Sequence, residues 1–184
     1  MTTVLAVDLG SASGRVLAGT FADGRVEVAD VHRFKHQALR DGASLTWDVE
    51  TMWEQTVIGL RKAVEAHPDA VSVSIDTWGV DFAPLDADDE LVGPVRAYRD
   101  ERTSRTLGEF RSRLGDREFF DLTGLQPATI NTANQLVALL VEEPELAARA
   151  ASVLFLPDYF AWRLTGVKGW SRTIASTSGL LTPG

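Results

Sequence analysis

The 184-residue sequence contains no cysteine, which excludes disulfide bridges, thiolate metal sites and a cysteine nucleophile. Its three histidines (His32, His36 and His67) lack the spacing of metal ligands. No apolar run approaches the roughly 18 residues that span a membrane, and Met1-Thr2-Thr3 does not resemble the start of a signal peptide. Basic residues are outnumbered 18 to 26, which argues against binding to nucleic acid or to an anionic membrane. This composition predicts a cytoplasmic globular protein.

The start of the chain carries the most informative motif. An apolar strand around Val4–Val7 ends in Asp8-Leu9-Gly10-Ser11-Ala12-Ser13-Gly14-Arg15, and a second strand follows at once. Such a turn presents small hydroxyls and backbone N–H groups to an anion, while Asp8 can hold a hydrated metal ion. Gly10 and Gly14 would permit close backbone approach and positive φ. The alternative is a tight β-hairpin in which Asp8 only caps the turn.

Two familiar phosphate-binding loops are excluded. The sequence has no G-x-x-x-x-G-K-[ST] motif, and Asp8-Leu9-Gly10 does not open a G-x-G-x-x-G helix start. The strand, Asp-x-Gly turn and strand instead resemble the nucleotide-phosphate loop of actin, the sugar kinases and the heat-shock chaperone ATPases.

Hydrophobic periodicity and turn residues predict the elements that follow. A helix is expected from an Asp48 N-cap to Ala66, with Val49, Trp53, Val57, Leu60 and Val64 at helical spacing. The other predicted strands are Thr3–Asp8, Arg15–Thr20, Arg25–Phe34, Val71–Asp76, Val80–Leu85 and Val153–Leu156. The other predicted helices are Arg102–Leu114, Arg117–Leu122, Thr132–Glu142, Pro144–Ala151 and Asp158–Leu164, while Lys35–Leu45 is expected to be a polar excursion.

This order predicts an α/β fold. Strands joined by tight hairpins are antiparallel and strands joined through helices are parallel, so a mixed sheet flanked by helices is expected. The order is that of the ribonuclease-H-like fold, which the actin and sugar-kinase superfamily repeats.

A second motif is Ser74-Ile75-Asp76-Thr77-Trp78-Gly79-Val80-Asp81-Phe82. Two carboxylates and a Trp-Gly kink make a poor core element, because buried charge is costly unless it is paired. They suit a polyol-binding edge, where a carboxylate accepts hydroxyl protons and an aromatic ring stacks on the sugar. The alternative is a hairpin with solvated aspartates and a packed tryptophan.

Further segments match one group of enzymes. They are His32-Arg33-Phe34, Thr46-Trp47-Asp48, Tyr98-Arg99-Asp100-Glu101-Arg102-Thr103, Thr123-Gly124-Leu125-Gln126, Asn131-Thr132 with Gln135, Leu156-Pro157-Asp158-Tyr159-Phe160 and Ala175-Ser176-Thr177. Together with the two motifs above, they resemble the N-terminal part of the bacterial rhamnulokinases, which belong to the FGGY carbohydrate kinases. The resemblance runs from about Val4 to about Leu181.

The resemblance implies phosphoryl transfer from MgATP to the 1-hydroxyl of L-rhamnulose in rhamnose catabolism. The residues implied at the ATP phosphates are Asp8, Gly10, Ser11, Ala12, Ser13, Gly14 and Arg15, with Asp8 facing Mg²⁺, directly or through water. The residues implied at the ketose are Gly79, Trp78 and Asp81, and more weakly Asp76, Arg99, Asp100, Arg102, Asn131 and Gln135. Arg99 and Arg102 could equally be ion-pair partners on the surface, and Asp100 a loop cap.

The resemblance also implies an incomplete N-terminal domain over residues 1–184. The aspartate that takes the hydroxyl proton and the second, adenosine-binding domain are expected beyond Gly184, so no catalytic base is assigned in this chain. The expected partners are therefore the ketose, ATP and a missing C-terminal half. The alternatives are another FGGY kinase (a xylulokinase or fuculokinase), a non-catalytic sugar- or phosphate-binding module, or a scaffold domain.

Overall fold

A computed structural model describes residues 1–183, which divide into two compact units. The first unit comprises Met1–Ala38 and Asp48–Trp78, and the second comprises Leu39–Trp47 and the chain from Gly79 onwards. No helix within the described residues is long and apolar enough to cross a membrane.

A four-stranded mixed sheet forms the first unit. Its strands are β1 (Thr2–Leu9), β2 (Ser13–Ala22), β3 (Arg25–Lys35) and β6 (Val73–Thr77), in the order β3-β2-β1-β6. The hairpins β1–β2 and β2–β3 are antiparallel, whereas β6 runs parallel to β1. The mixed sheet expected from the sequence is confirmed. The hairpin between β2 and β3 turns at Asp23-Gly24, where both residues have positive φ.

Helix α1 (Val49–Ala66) packs on one face of this sheet. The backbone N–H of Thr51 donates to the carboxylate of Asp48 at 3.0 Å, which confirms the predicted N-cap. The predicted apolar stripe is offset by one residue from the most buried face, and its members Trp53, Val57 and Leu60 are half-buried. The buried residues are Val49, Met52, Thr56, Gly59 and Ala63, whereas Val64 is 54% exposed.

Part of the sheet face opposite α1 is apolar and exposed. Alternation places Val4, Phe21, Val26 and Val28 on this face, and each is at least 40% exposed. We call these four residues the open sheet face.

The second unit contains short strands and helices. Its strands are β4 (Leu39–Asp41), β5 (Ser44–Trp47), β7 (Phe82–Leu85), β8 (Val95–Arg96) and β9 (Ser152–Phe155), which form the sheets β4-β5-β8 and β7-β9. Its helices are α2 (Arg102–Arg105), α3 (Leu107–Arg113), α4 (Asp116–Thr123), α5 (Thr132–Glu142), α6 (Pro144–Arg149), α7 (Leu156–Thr165) and α8 (Arg172–Ala175).

Three boundary predictions in this unit are wrong. The supposed polar excursion contains β4 and β5, which are stabilised by pairing with each other and with β8. The single helix expected over Arg102–Leu114 is two helices that meet at Thr106. The strand expected from Val80 begins at Phe82, because Val80 has positive φ and cannot extend the strand.

Candidate functional site

The turn between β1 and β2 is tight and its tip is exposed. The backbone N–H of Gly10 donates to the carbonyl of Ser13 at 2.9 Å, which closes the turn. Ser11 and Ala12 lie exposed between them, and Ser13 is half-buried. The structure therefore offers a short loop with accessible serine hydroxyls at the end of a buried strand, as the sequence predicted.

The positive φ expected at the two glycines of this turn is wrong. Neither Gly10 nor Gly14 has positive φ. A Cβ at Gly14 would lie 2.2 Å from the ring of Phe34 and 2.8 Å from a methyl of Leu9, so packing excludes a side chain there. Gly10 has only the Ser13 carbonyl nearby, at 3.4 Å. Gly14 thus lets the aromatic ring pack beneath the turn.

Two carboxylates stand side by side where β1 and β6 end. Asp8 pairs in register with Asp76 on the parallel strand and with Arg15 on the antiparallel one. The guanidinium of Arg15 makes an ion pair with Asp8, and both side chains are about 40% exposed. Paired positions share one face of a sheet, so these three groups lie in a row on the face opposite α1.

This arrangement fits a magnesium ion whose other ligands are water and phosphate oxygens. Among residues 1–183, no group of three or more histidine, aspartate or glutamate side chains is placed to hold a metal ion. Magnesium commonly uses one or two protein carboxylates and completes its shell with water and substrate phosphates. Asp8 with its neighbour Asp76 meets that requirement.

His36 also lies in this region, although the sequence assigned it no site role. Its backbone N–H donates to the carbonyl of Ala12 at 3.3 Å, and its ring stacks on Trp78 with centroids 6.0 Å apart. Burial lowers the pKa of His36 below its ordinary 6.5, and the backbone of Gly10 and Ser13 opposes part of this shift. His36 therefore connects the exposed turn to Trp78 within the first unit.

The register of the β2–β3 hairpin could have shown that His36 lies beside this turn. The Asp23-Gly24 turn pairs Ala22 with Arg25, and continuing that pairing brings the end of β3 back to the start of β2. A bulge beside Val16 shifts the register by one residue, so the prediction would have been off by one.

In the second unit, Asp81 is a buried carboxylate whose partners are built into the fold. Its side chain is fully buried and accepts hydrogen bonds from the indole N–H of Trp47 at 2.6 Å and from the amide of Gln135 at 3.2 Å. These donors compensate for the loss of water around the charge. The alternative of two solvated aspartates is wrong for Asp81, whereas Asp76 is exposed.

Gly79 is the first residue of the longer of the two segments that form the second unit, and it is half-buried. A Cβ there would lie 3.2 Å from the hydroxyl oxygen of Thr177, which is closer than an ordinary van der Waals contact. A larger side chain at Gly79 would therefore have to displace Thr177 or the backbone that carries it.

The N-terminal domain of the FGGY family of carbohydrate kinases matches residues 3–182, nearly the whole chain. The chain belongs to this family. A rhamnulokinase from Mannheimia succiniciproducens is 37% identical to it over 180 residues, which are 97% of this chain and 37% of that protein.

Solved structures of FGGY relatives confirm the fold. A gluconate kinase from Lactobacillus acidophilus superposes with a TM-score of 0.87 at 16% identity, covering 98% of this chain and 37% of that one. A xylulose kinase from Rhodospirillum rubrum gives 0.85 at 19% identity, with 98% and 37% covered. The chain thus spans a little over a third of the length of these relatives, and their likeness confirms the α/β fold expected from the sequence.

In this FGGY domain, the Tyr-Arg-Asp-x-Arg-Thr segment has a structural role. Asp100 is 4% exposed, and its carboxylate accepts hydrogen bonds from the backbone N–H groups of Leu45 (2.6 Å) and Arg102 (2.9 Å). The guanidinium of Arg102 is 5% exposed and donates to Glu143 at 2.8 Å. These contacts favour the loop-cap interpretation of Asp100 and make Arg102 a buried ion-pair partner, where the alternative had placed it on the surface.

Asn131 and Arg99 are engaged locally. The side-chain carbonyl of Asn131 accepts the backbone N–H of Ala128 at 2.6 Å, directly before α5. The guanidinium of Arg99 lies 5.2 Å from the ring centroid of Tyr98. Both residues stabilise the loops that carry them.

Proposed function

We propose that this chain is the N-terminal part of an ATP-dependent ketose kinase that transfers a phosphoryl group from MgATP to the 1-hydroxyl of L-rhamnulose. The observation that carries the proposal is the exposed turn Gly10–Ser13, with Asp8 and Asp76 beside it in a domain of the FGGY family. The choice of sugar is supported by the rhamnulokinase that is 37% identical over nearly the whole chain.

The phosphate groups of ATP fit the first unit. Ser11 and Ser13 provide hydroxyl donors, the turn backbone provides N–H donors, and Arg15 provides a positive charge to oxygens of the polyphosphate. Magnesium would be held by Asp8 with water and phosphate oxygens, and it would neutralise part of the charge that develops during transfer. Arg15 could then exchange its bond with Asp8 for one with phosphate.

The ketose fits the residues around the Trp-Gly kink. Trp78 offers an aromatic face, Gly79 offers a backbone without a side chain, and Asp81 shapes the segment that follows. Asp81 is fully buried and accepts two hydrogen bonds, which suits a shaping role better than that of a general base. No general base is proposed from residues 1–183.

Binding measurements on the chain test both halves of the proposal. Calorimetric titration should detect L-rhamnulose binding more tightly than D-xylulose or L-fuculose, and tripolyphosphate binding in the presence of Mg²⁺. Ser11→Ala combined with Asp8→Asn should abolish the tripolyphosphate signal and leave the ketose signal intact. Ser112→Ala, which alters an exposed serine of α3, is the matched control.

A separate variant, Gly79→Val, tests ketose binding. Gly79→Val should remove ketose binding while the far-UV circular dichroism stays unchanged, because the added side chain meets Thr177. Equal affinity of the wild type and Gly79→Val would remove Gly79 from the site. Tighter binding of D-xylulose or L-fuculose would assign another FGGY kinase activity.

A further inference from the structure

Val80 adopts a backbone conformation that β-branched residues avoid. Its φ is +72°, in the left-handed region, where the branched side chain crowds its own backbone. The other non-glycine residues with positive φ among those described are Asp23 and Asp89, and aspartate tolerates this conformation in turns. Val80 lies between Gly79 and Asp81, in the segment to which we assign ketose binding.

Two side chains from the start of α5 hold Val80 in place. Its carbonyl oxygen accepts hydrogen bonds from the hydroxyl of Thr132 at 2.7 Å and from the amide of Gln135 at 3.1 Å. Both donor residues are completely buried, so water does not compete for their donor groups. We call Thr132 and Gln135 the α5 clamp.

The residue after Val80 is fixed just as firmly. The backbone carbonyl of Asp81 accepts the N–H of Leu156 at 3.2 Å, and its carboxylate is bound by Trp47 and by Gln135. Gln135 thus contacts two consecutive residues. The peptide between Val80 and Asp81 has little freedom to turn.

We propose that Val80 is a positioning residue, held in the left-handed conformation by the α5 clamp so that Gly79 and Asp81 keep the geometry that binds a ketose. This inference rests on the proposed function. A left-handed conformation disfavours a residue with a side chain by a factor of about 5–30 relative to its ordinary conformations. Strain of this kind persists where surrounding bonds impose it, and such positions cluster at ligand sites.

The strain is measured first, on the chain itself, by urea unfolding. Val80→Gly should have a folding equilibrium constant about 5–30 times that of Val80→Ala, because glycine adopts positive φ freely. The matched control is Val137, a half-buried residue inside α5. There, the folding equilibrium constant of Val137→Gly should be about 5 times smaller than that of Val137→Ala. The inference would be overturned if the alanine variant were more stable than the glycine variant at Val80, as it is expected to be at Val137.

The positioning role is measured next, by L-rhamnulose titration and by the NMR signal of the Gly79 amide. Thr132→Val should weaken ketose binding by about 10-fold and shift the Gly79 signal. In a Val80→Gly background the same substitution should weaken binding less, since glycine adopts positive φ without strain for the clamp to overcome. Thr106→Val also removes a buried hydroxyl bonded to a backbone carbonyl, and it should leave both readouts unchanged.

The outcomes separate this inference from the proposed function. An unshifted Gly79 signal and unchanged affinity in Thr132→Val would refute the positioning role while ketose binding stands. A wild-type chain that binds no ketose would refute the proposed function and the sugar role of the clamp together. The preference for glycine at Val80 would then remain as a conformational property alone.

Discussion

Glu143→Gln is the substitution from which we expect the largest loss of stability in the second unit. The Glu143 carboxylate makes an ion pair with Arg102 at 2.8 Å and another with Arg96. The three side chains are only 5–19% exposed. Asp100 lies 4.0 Å from Arg102 and completes the cluster, in which two positive charges balance two negative ones.

Removing one negative charge leaves Arg102 buried with a single distant carboxylate. Burial already lowers the pKa of Arg102, and Glu143 is the largest influence that opposes this shift. Breaking a buried pair from one side typically costs about 3–5 kcal/mol. Asp100 and the remaining amide oxygen of the glutamine retain part of the interaction, so we expect about 3 kcal/mol for Glu143→Gln.

The assay is urea unfolding at pH 7, followed by circular dichroism and by tryptophan fluorescence to test whether the transition is two-state. The neighbouring Glu142 pairs with the exposed Arg105, so Glu142→Gln is the matched control and should leave the unfolding midpoint unchanged. A Glu143→Gln midpoint equal to that of Glu142→Gln would refute this account of the cluster.

Four further outcomes are expected. Gly14→Ala should cost about 1–3 kcal/mol in urea unfolding, because the new methyl overlaps the ring of Phe34, whereas Gly108→Ala, in a helix with open space, should stabilise the chain. The free energy of unfolding should fall as the pH decreases below about 6.5, since the lowered pKa of His36 means that the unfolded state binds its proton first, and His36→Gln should flatten that part of the profile. Val28→Lys should reduce self-association through the open sheet face in sedimentation velocity, and equal association of both proteins would exclude that face. Residues 1–184 alone should show no ATP-dependent phosphorylation of L-rhamnulose, because transfer needs a positioned base and a closed site, and turnover near 1 per second would place that base within this chain.

The elements of the first unit were predictable because their signals are local. Asp48 caps α1 through the N–H of Thr51, and the Asp23-Gly24 turn requires residues that tolerate positive φ. Each signal lies within a few residues of the structure that it specifies. Local signals also predicted the exposed turn after β1.

The buried face of α1 is offset from the predicted stripe for a reason that lies outside the helix. A Cβ at Gly59 would be 2.4 Å from a methyl of Val16, so helix and sheet approach closely through a small residue. A stripe of large apolar residues could not pack at that distance. The sequence alone does not show how closely the two elements approach, so the helical spacing favoured the stripe that runs from Val49 to Val64.

The contacts that stabilise the second unit join residues that are far apart in sequence. The motifs therefore did not reveal the partners of Asp81, Val80 and Arg102. Trp47 reaches Asp81 across 34 positions, and Thr132 reaches Val80 across 52. Arg102 looks like a solvated charge in a helix until Glu143 is placed beside it, 41 positions later. The most selective motifs therefore include residues whose side chains are bound within the fold. A residue type that looks suited to a ligand can instead be required by the fold. Deciding between these roles depends on the partners that folding brings together, and for Val80 the decisive partners are the first residues of a helix that the motif itself does not contain.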